Sequence, residues 1–119
     1  MGTMTSVIKA VTWDCGDAVR LASFWAAALG GDVDEDSTPE KAFLEASGWG
    51  GPNMWFQRVP ERKRAKNRLH LDLRPMTTLE DEVERLVGLG ATVAARFDTH
   101  VVLQDPEGNE FCVEPGMQE

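Results

Sequence analysis

The sequence predicts an α+β fold made of two βαβββ modules that form a curved mixed sheet with the helices outside. Two amphipathic stretches of about a dozen residues lie sixty positions apart, strand-like segments surround each in the same order, and glycines follow each helix. A half of about 55 residues with one helix leaves one face of its sheet bare, so it cannot close a core alone. We therefore expect the two halves to pair, within one chain or with a second copy.

The first module spans about residues 6–60 and opens with a strand candidate over Val7–Cys15. Asp17 is expected to cap a helix that ends at Gly30, because a short polar side chain accepts free amide hydrogens and glycine closes the last turn. The parity of the first strand directs Trp13 and Cys15 towards that helix. Three further strand candidates follow, namely Gly31–Glu35, Ala42–Ala46 and Asn53–Val59.

A linker over residues 60–67 leads to the second module, about residues 68–115. Its first strand candidate, Arg68–Arg74, alternates leucines with polar residues, so the two kinds of side chain are expected on opposite faces. The polar set is His70, Asp72 and Arg74, and the apolar set is Leu69, Leu71 and Leu73.

The second helix is expected to begin after Thr77 and to end at Gly90. Its expected apolar positions are Leu79, Val83, Leu86, Val87 and Leu89. Three strand candidates complete the module, namely Ala91–Phe97, His100–Gln104 and Glu110–Glu114. The cluster Asp105–Asn109 has the composition of a hairpin turn before the last of them.

Composition and charge exclude several classes of function. The net charge of −8 argues against a nucleic-acid partner, because phosphate binding requires a surplus of positive charge. No apolar run approaches the length of a membrane span and no export signal is visible, so we expect no membrane association and a cytoplasmic location.

Cys15 and Cys112 lack metal-type spacing and are expected to be reduced thiols. The basic run 61–68 is either a solvated linker or a patch for an anionic ligand or an acidic partner.

With this order of elements, the chain resembles the vicinal oxygen chelate superfamily, the glyoxalase and bleomycin-resistance-like proteins. The segments that carry the resemblance are Val11–Asp17, Leu21–Trp25, Ala28–Gly30, Asn67–Leu73, Leu86–Gly90 and Asp105–Cys112. The superfamily includes isomerases, ring-cleaving dioxygenases, thiol transferases and drug-binding proteins without catalysis, so the fold does not choose the activity. The resemblance implies a homodimer, whose modules are either retained or exchanged between chains.

The resemblance also implies metal ligands on the first and last strands of each module, facing a shared cleft. The corresponding positions here are Ala10, Gln57, His70 and Cys112, and only the histidine keeps the family's residue type. Ala10 offers no donor and Gln57 is a weak neutral ligand, whereas catalytic zinc sites typically use three protein ligands. No metal cofactor is therefore expected, with a divalent ion held by His70 and Cys112 as the weaker alternative.

The expected ligand-binding residues are those whose parity directs them into the cleft. They are Thr12, Asp14, Trp55, Gln57, His70, Asp72 and Cys112. Trp49 is added to them because it belongs to a glycine-rich loop that is expected to fold over the mouth of the cleft. The two tryptophans are the candidates for stacking on a flat ligand. His100 is expected at the surface. Cys112 is read as a small packing residue in preference to a nucleophile.

These residues lead to three hypotheses of different classes. The first is metal-independent binding of an aromatic or polycyclic small molecule, such as an antibiotic or natural product that is sequestered. The second is a glyoxalase-like lyase, isomerase or dioxygenase, with an atypical metal site or with His70 and the aspartates as acid and base. The third is an interaction role for the dimer through the basic linker.

Overall fold

The computed structural model describes residues 2–46 and 50–119, and it divides the chain into two compact units, Met1–Pro60 and Glu61–Glu119. Each unit has the order strand, helix and three strands, and each has its own four-stranded mixed sheet. The α+β class and the two βαβββ modules are therefore confirmed. Within the described residues, no helix is both long enough and apolar enough to cross a membrane.

The first unit has one parallel and two antiparallel strand pairs. Its elements are β1 Ala10–Cys15, α1 Ala18–Leu29, β2 Asp32–Val33, β3 Lys41–Glu45 and β4 Asn53–Arg58. The strand order is β1-β4-β3-β2, with β1 parallel to β4. β1 and β2 are shorter than their sequence candidates Val7–Cys15 and Gly31–Glu35, because the ladders to β4 and β3 include only the residues within these bounds.

Helix α1 covers one face of this sheet. The Asp17 carboxylate accepts a hydrogen bond from the Arg20 amide at 3.2 Å, and Gly30 ends the helix with a φ of 81°, a conformation that costs glycine little. Trp25 is fully buried, and the Trp13 ring stacks on it at a centroid distance of 5.1 Å. Cys15 is buried on the same side. The opposite face of the sheet carries Thr12, Asp14, Trp55 and Gln57.

The second unit repeats the arrangement. Its elements are β5 Asp72–Leu73, α2 Leu79–Leu89, β6 Thr92–Arg96, β7 Val101–Gln104 and β8 Glu110–Val113. The strand order is β5-β8-β7-β6, with β5 parallel to β8. The side chains of Phe111, Val113, Val101 and Leu103 are buried on one face, together with Val83 and Leu86 of α2.

The strand predicted over Arg68–Arg74 is wrong in length, since only Asp72–Leu73 is paired. The amide of Asn67 bonds to the side-chain carboxylate of Glu110 at 2.9 Å, so the backbone ladder with β8 does not continue back to that point. As a result, Leu69 is 74% exposed and does not join the buried face predicted for it.

Helix α2 ends at Gly90 as predicted, but it differs from its prediction at its N-terminus and in its buried face. Its N-cap is Thr78, whose hydroxyl accepts the Asp81 amide at 3.2 Å, while the Thr77 carbonyl accepts the amide of Gln118. Val87 and Leu89 are 45% and 39% exposed, against the prediction that they face the sheet. The buried stripe is centred between Val83 and Leu86. At about 100° per residue, Val87 and Leu89 lie about 70° and about 90° to either side of that centre, so both fall at its margins.

Candidate functional site

Four predicted site residues lie together on the open face of the first unit's sheet. The parallel register places Thr12 opposite Trp55 and Asp14 opposite Gln57. The Gln57 side-chain amide donates a hydrogen bond to the Asp14 carboxylate at 2.8 Å. The parity predicted for these strands is thus correct.

Trp55 already has partners on its own sheet. Its ring lies 4.5 Å from that of Phe43, centroid to centroid, and the Lys41 ammonium lies 5.1 Å from the Trp55 ring centroid. Part of the surface predicted to stack on a ligand is therefore used within the unit. Trp49, the other predicted stacking residue, lies outside the described residues.

The remaining predicted residues, His70, Asp72 and Cys112, meet in the second unit. His70 Nδ1 lies 3.1 Å from Asp72 Oδ1, and the β5–β8 register places Asp72 opposite Cys112. One donor atom from each of the three side chains lies within 4.8 Å of the others. This cluster joins an imidazole, a carboxylate and a thiol at the exposed edge of the sheet.

The cluster lines an open pocket of about 450 Å³ in the second unit. The lining residues are Lys66, His70, Asp72, Phe97, His100, Val102, Glu110, Cys112 and Glu114. Phe97 and His100 stack on each other at a centroid distance of 4.9 Å and an angle of 21°. The pocket thus combines an aromatic pair with polar and ionisable groups.

Phe97 and His100 were not predicted as site residues. The antiparallel register of β7 and β8 places Gln104 opposite Glu110 and Val102 opposite Cys112, so continued alternation directs His100 to the same face. Pairing the two strands around the Asp105–Asn109 turn could have identified His100 from the sequence.

Phe97 reaches the pocket because of an irregularity in β6. Val93 pairs with Leu103, whereas Ala95 pairs with Val102, so the register shifts by one residue between them. A β-bulge of this kind reverses the faces of the residues that follow. Without the bulge, Phe97 would share the face of Val93, and no signal in the sequence indicates it.

The Cys112 thiol is poorly suited to act as a nucleophile. Burial raises the pKa of Cys112, and the charge and hydrogen bond of Asp72 raise it further. The thiol therefore stays protonated at neutral pH. A protonated thiol is a poor nucleophile, because the thiolate is the reactive form. The raised pKa argues against Cys112 as a nucleophile, and its role in packing stays a prediction.

We expect Asp72→Asn to accelerate alkylation of Cys112 by iodoacetamide at pH 8 by about threefold, because removing the adjacent charge lowers the thiol pKa. Mass spectrometry of the labelled peptide measures the rate. Glu114→Gln is the matched control and should change the rate less, since Glu114 is a smaller cause of the shift. Equal rates in Asp72→Asn and the unmodified protein would contradict this account.

The linker is fastened to the second unit beside the pocket. The Lys63 ammonium lies 3.0 Å from the Glu110 carboxylate, and the Asn67 amide donates to the same oxygen. Burial by itself would raise the pKa of Glu110, but the Asn67 and Lys63 hydrogen bonds outweigh it and the pKa lies below its ordinary value. The basic run is therefore attached to the sheet at Lys63.

The strand registers correct one position in the inherited ligand set. Asp14 lies opposite Gln57, and Asp72 lies opposite Cys112. If Gln57 corresponds to Cys112, the counterpart of His70, two residues before Asp72, is Thr12 and not Ala10. Ala10 results when the same number of residues is counted back from the start of each helix. That count is misleading, because the connection between the first strand and the helix is longer in the second unit than in the first.

The model of a known protein family matches most of this chain. The sequence model of the glyoxalase-like domain matches residues 10–114 of this chain. A search of the curated proteins finds no match.

Among solved structures, a glyoxalase/bleomycin resistance protein/dioxygenase family enzyme from Burkholderia phytofirmans has a TM-score of 0.69 at 21% identity, covering 91% of this chain and 96% of its own. A glyoxalase-related enzyme from Fulvimarina pelagi has a TM-score of 0.67 at 18% identity, with coverages of 94% and 88%. A mutant of the fosfomycin resistance protein FosX from Listeria monocytogenes, complexed with Mn(II) and dihydroxypropylphosphonic acid, has a TM-score of 0.71 at 14% identity, with coverages of 96% and 93%. At these identities the structures show the fold alone.

The presence of Mn(II) in that FosX structure raises the question of whether the residues here suit a metal. His70, Asp72 and Cys112 provide one nitrogen, one oxygen and one sulfur donor within 4.8 Å of one another. Manganese prefers oxygen donors, whereas zinc accepts all three types. The donor set therefore suits a zinc-like ion better than Mn(II), with Asp72 as a third donor that the sequence analysis did not assign to a metal.

Proposed function

The chain belongs to the glyoxalase-like domain family, and from that premise we propose that it binds a small planar aromatic molecule in the pocket of the second unit without a metal ion. The observation that carries this proposal is the aromatic pair: Phe97 is 57% exposed, yet it lies in a pocket and stacks on His100. An exposed aromatic surface beside hydrogen-bonding groups is typical of ligand sites.

The pocket supplies both kinds of contact that such a ligand needs. Its volume of about 450 Å³ falls within the range of small-molecule sites. A bound ring that stacks on the Phe97 and His100 pair removes apolar surface from water, while His70 and Asp72 offer hydrogen bonds that fix its orientation. Sequestration requires affinity alone, so an antibiotic or natural product is a suitable ligand class. The fold shared with a fosfomycin resistance protein supports such a role in resistance.

The test uses N-phenylnaphthylamine, a neutral fluorescent probe with two aromatic ring systems, in buffer containing EDTA. We expect saturable binding that Phe97→Ala weakens by about tenfold, because the lost apolar contact area adds to a stacking energy of about 1 kcal/mol, and about 1.4 kcal/mol corresponds to a tenfold change in affinity. Trp55→Ala is the matched control and should leave the affinity within about twofold. Loss of binding in Trp55→Ala with retention in Phe97→Ala would instead place the ligand on the first unit, and loss in EDTA would refute metal independence.

A second candidate function is a glyoxalase-like enzyme, and the contact between His70 and Asp72 favours it. When Nδ1 of His70 donates to Asp72, Nε2 is the ring nitrogen that can take a proton from a bound ligand. A zinc-like ion held by His70, Asp72 and Cys112 would supply Lewis-acid chemistry at the same place.

Cobalt(II) titration tests the metal-dependent form of this candidate. A near-ultraviolet charge-transfer band is expected if Cys112 is a ligand, and Cys112→Ser should abolish it while Cys15→Ser should not. Absence of the band in the unmodified protein would exclude Cys112 as a ligand.

Formation of a homodimer, with or without exchange of modules, stays a prediction that analytical ultracentrifugation checks.

A further inference from the structure

We propose that the aromatic ligand carries an acidic group, such as a carboxylate, phosphonate or sulfonate, and that Lys66 recognises it. This inference rests on the proposed function, because it specifies the class of molecule that the pocket of the second unit binds. Lys66 lines that pocket and comes from the basic run of the linker.

Each acidic residue of the pocket already has a partner within the protein. The carboxylates of Glu110 and Glu114 lie 3.0 and 3.6 Å from nitrogen atoms of Lys63 and Arg74, so their charges are partly compensated before a ligand arrives. Asp72 Oδ1 lies 3.1 Å from His70 Nδ1, within hydrogen-bonding distance.

Lys66 is different. Its ammonium donates a hydrogen bond to the Asn67 carbonyl at 3.3 Å, and within the described ranges 2–46 and 50–119 no carboxylate pairs with it. Lys66 lines the same pocket as His70, Asp72 and Cys112, so its charge lies beside the proposed site. Lys66 is exposed, so its ammonium is accessible to an acidic group of a bound ligand.

The position of Lys66 suits a ligand that extends out of the pocket. Lys66 and Glu110 also line a second, more open groove of about 430 Å³, together with Lys63 and Arg64. An acidic group placed beside Lys66 would lie next to the remaining linker cations. Because the protein as a whole carries a net charge of −8, a preference for an anion must come from such a local group.

Two fluorescent probes with the same aromatic skeleton test the inference. Anilinonaphthalene sulfonate carries a permanent negative charge, and N-phenylnaphthylamine lacks it. We expect the sulfonate to bind more tightly, and Lys66→Gln to weaken it by about three- to fivefold while changing the neutral probe by less than about twofold, as for one partly exposed ion pair. Higher ionic strength should reduce the difference between the probes.

Arg62→Gln is the matched control, because it removes one positive charge from the same basic run and is not among the residues that line either groove. It should leave both affinities unchanged. Binding of the neutral probe with no advantage for the sulfonate, or no effect of Lys66→Gln, would overturn the inference and leave the proposed function standing. Failure of both probes to bind would overturn both proposals. Circular dichroism verifies that each variant is folded.

Discussion

Trp25→Ala is expected to lower the free energy of unfolding by about 4 kcal/mol, a large share of the stability of a domain of this size. Trp25 is fully buried in α1, where it stacks on Trp13 at 5.1 Å and meets the edge of Phe24 at 5.2 Å. Removal of the indole leaves a cavity between the helix and the sheet, which close packing cannot fill without moving both. Urea denaturation followed by far-ultraviolet circular dichroism measures the loss.

Trp55→Ala is the control for this prediction, since it removes the same side chain from the open face of the same unit. It should cost about 1 kcal/mol, from its contacts with Phe43 and Lys41. If Trp25→Ala does not fold, Trp25→Phe keeps part of the ring and should show an intermediate loss. Similar costs for Trp25→Ala and Trp55→Ala would contradict the assignment of Trp25 to the core.

Asp105→Ala is expected to destabilise the protein by about 3 kcal/mol, because it leaves buried donors without an acceptor. Asp105 is 3% exposed, and its carboxylate accepts hydrogen bonds from the Glu107 amide and from the backbone and side-chain nitrogens of Asn109, at 2.9 to 3.2 Å. These bonds shape the turn between β7 and β8. Thermal unfolding monitored by circular dichroism measures the effect.

Asp34→Ala is the matched control for the turn. The Asp34 carboxylate also accepts an amide hydrogen two residues later, from Asp36 at 3.3 Å, but this bond is exposed to solvent. Its loss should cost less than about 1 kcal/mol, since water replaces the missing acceptor. An equally small loss for Asp105→Ala would show that the turn forms without its buried carboxylate.

The turn also bears on the pocket, because it fixes the register of β7 against β8. That register places Val102 beside Cys112 and directs His100 to the same face. A variant that loosens the turn is therefore expected to weaken binding of N-phenylnaphthylamine as well as stability, whereas Asp34→Ala should leave the affinity unchanged and lower the stability by less than about 1 kcal/mol. The comparison separates a change of pocket shape from a general loss of structure.

The sequence alone determined the order of the elements and the faces of β1 and β4. Leucine and glycine spacing placed both helices, and alternation correctly put Asp14 and Gln57 on one face and Trp13 and Cys15 on the other. These are local properties, because each depends on the period of a helix or strand and on the residues that end it. Strand ends were less well predicted, as at Arg68–Arg74, because pairing depends on the neighbouring strand.

Only the tertiary structure decided which side chains meet. Asp72 joins His70 and Cys112 through the parallel register of β5 with β8, and Phe97 joins His100 through the bulge in β6. The sequence alone likewise did not show that Lys63 binds Glu110 while neighbouring Lys66 has no carboxylate partner among the described residues. Register, bulges and ion pairs depend on contacts between segments distant in the chain, whereas periodicity reports only on neighbours along it.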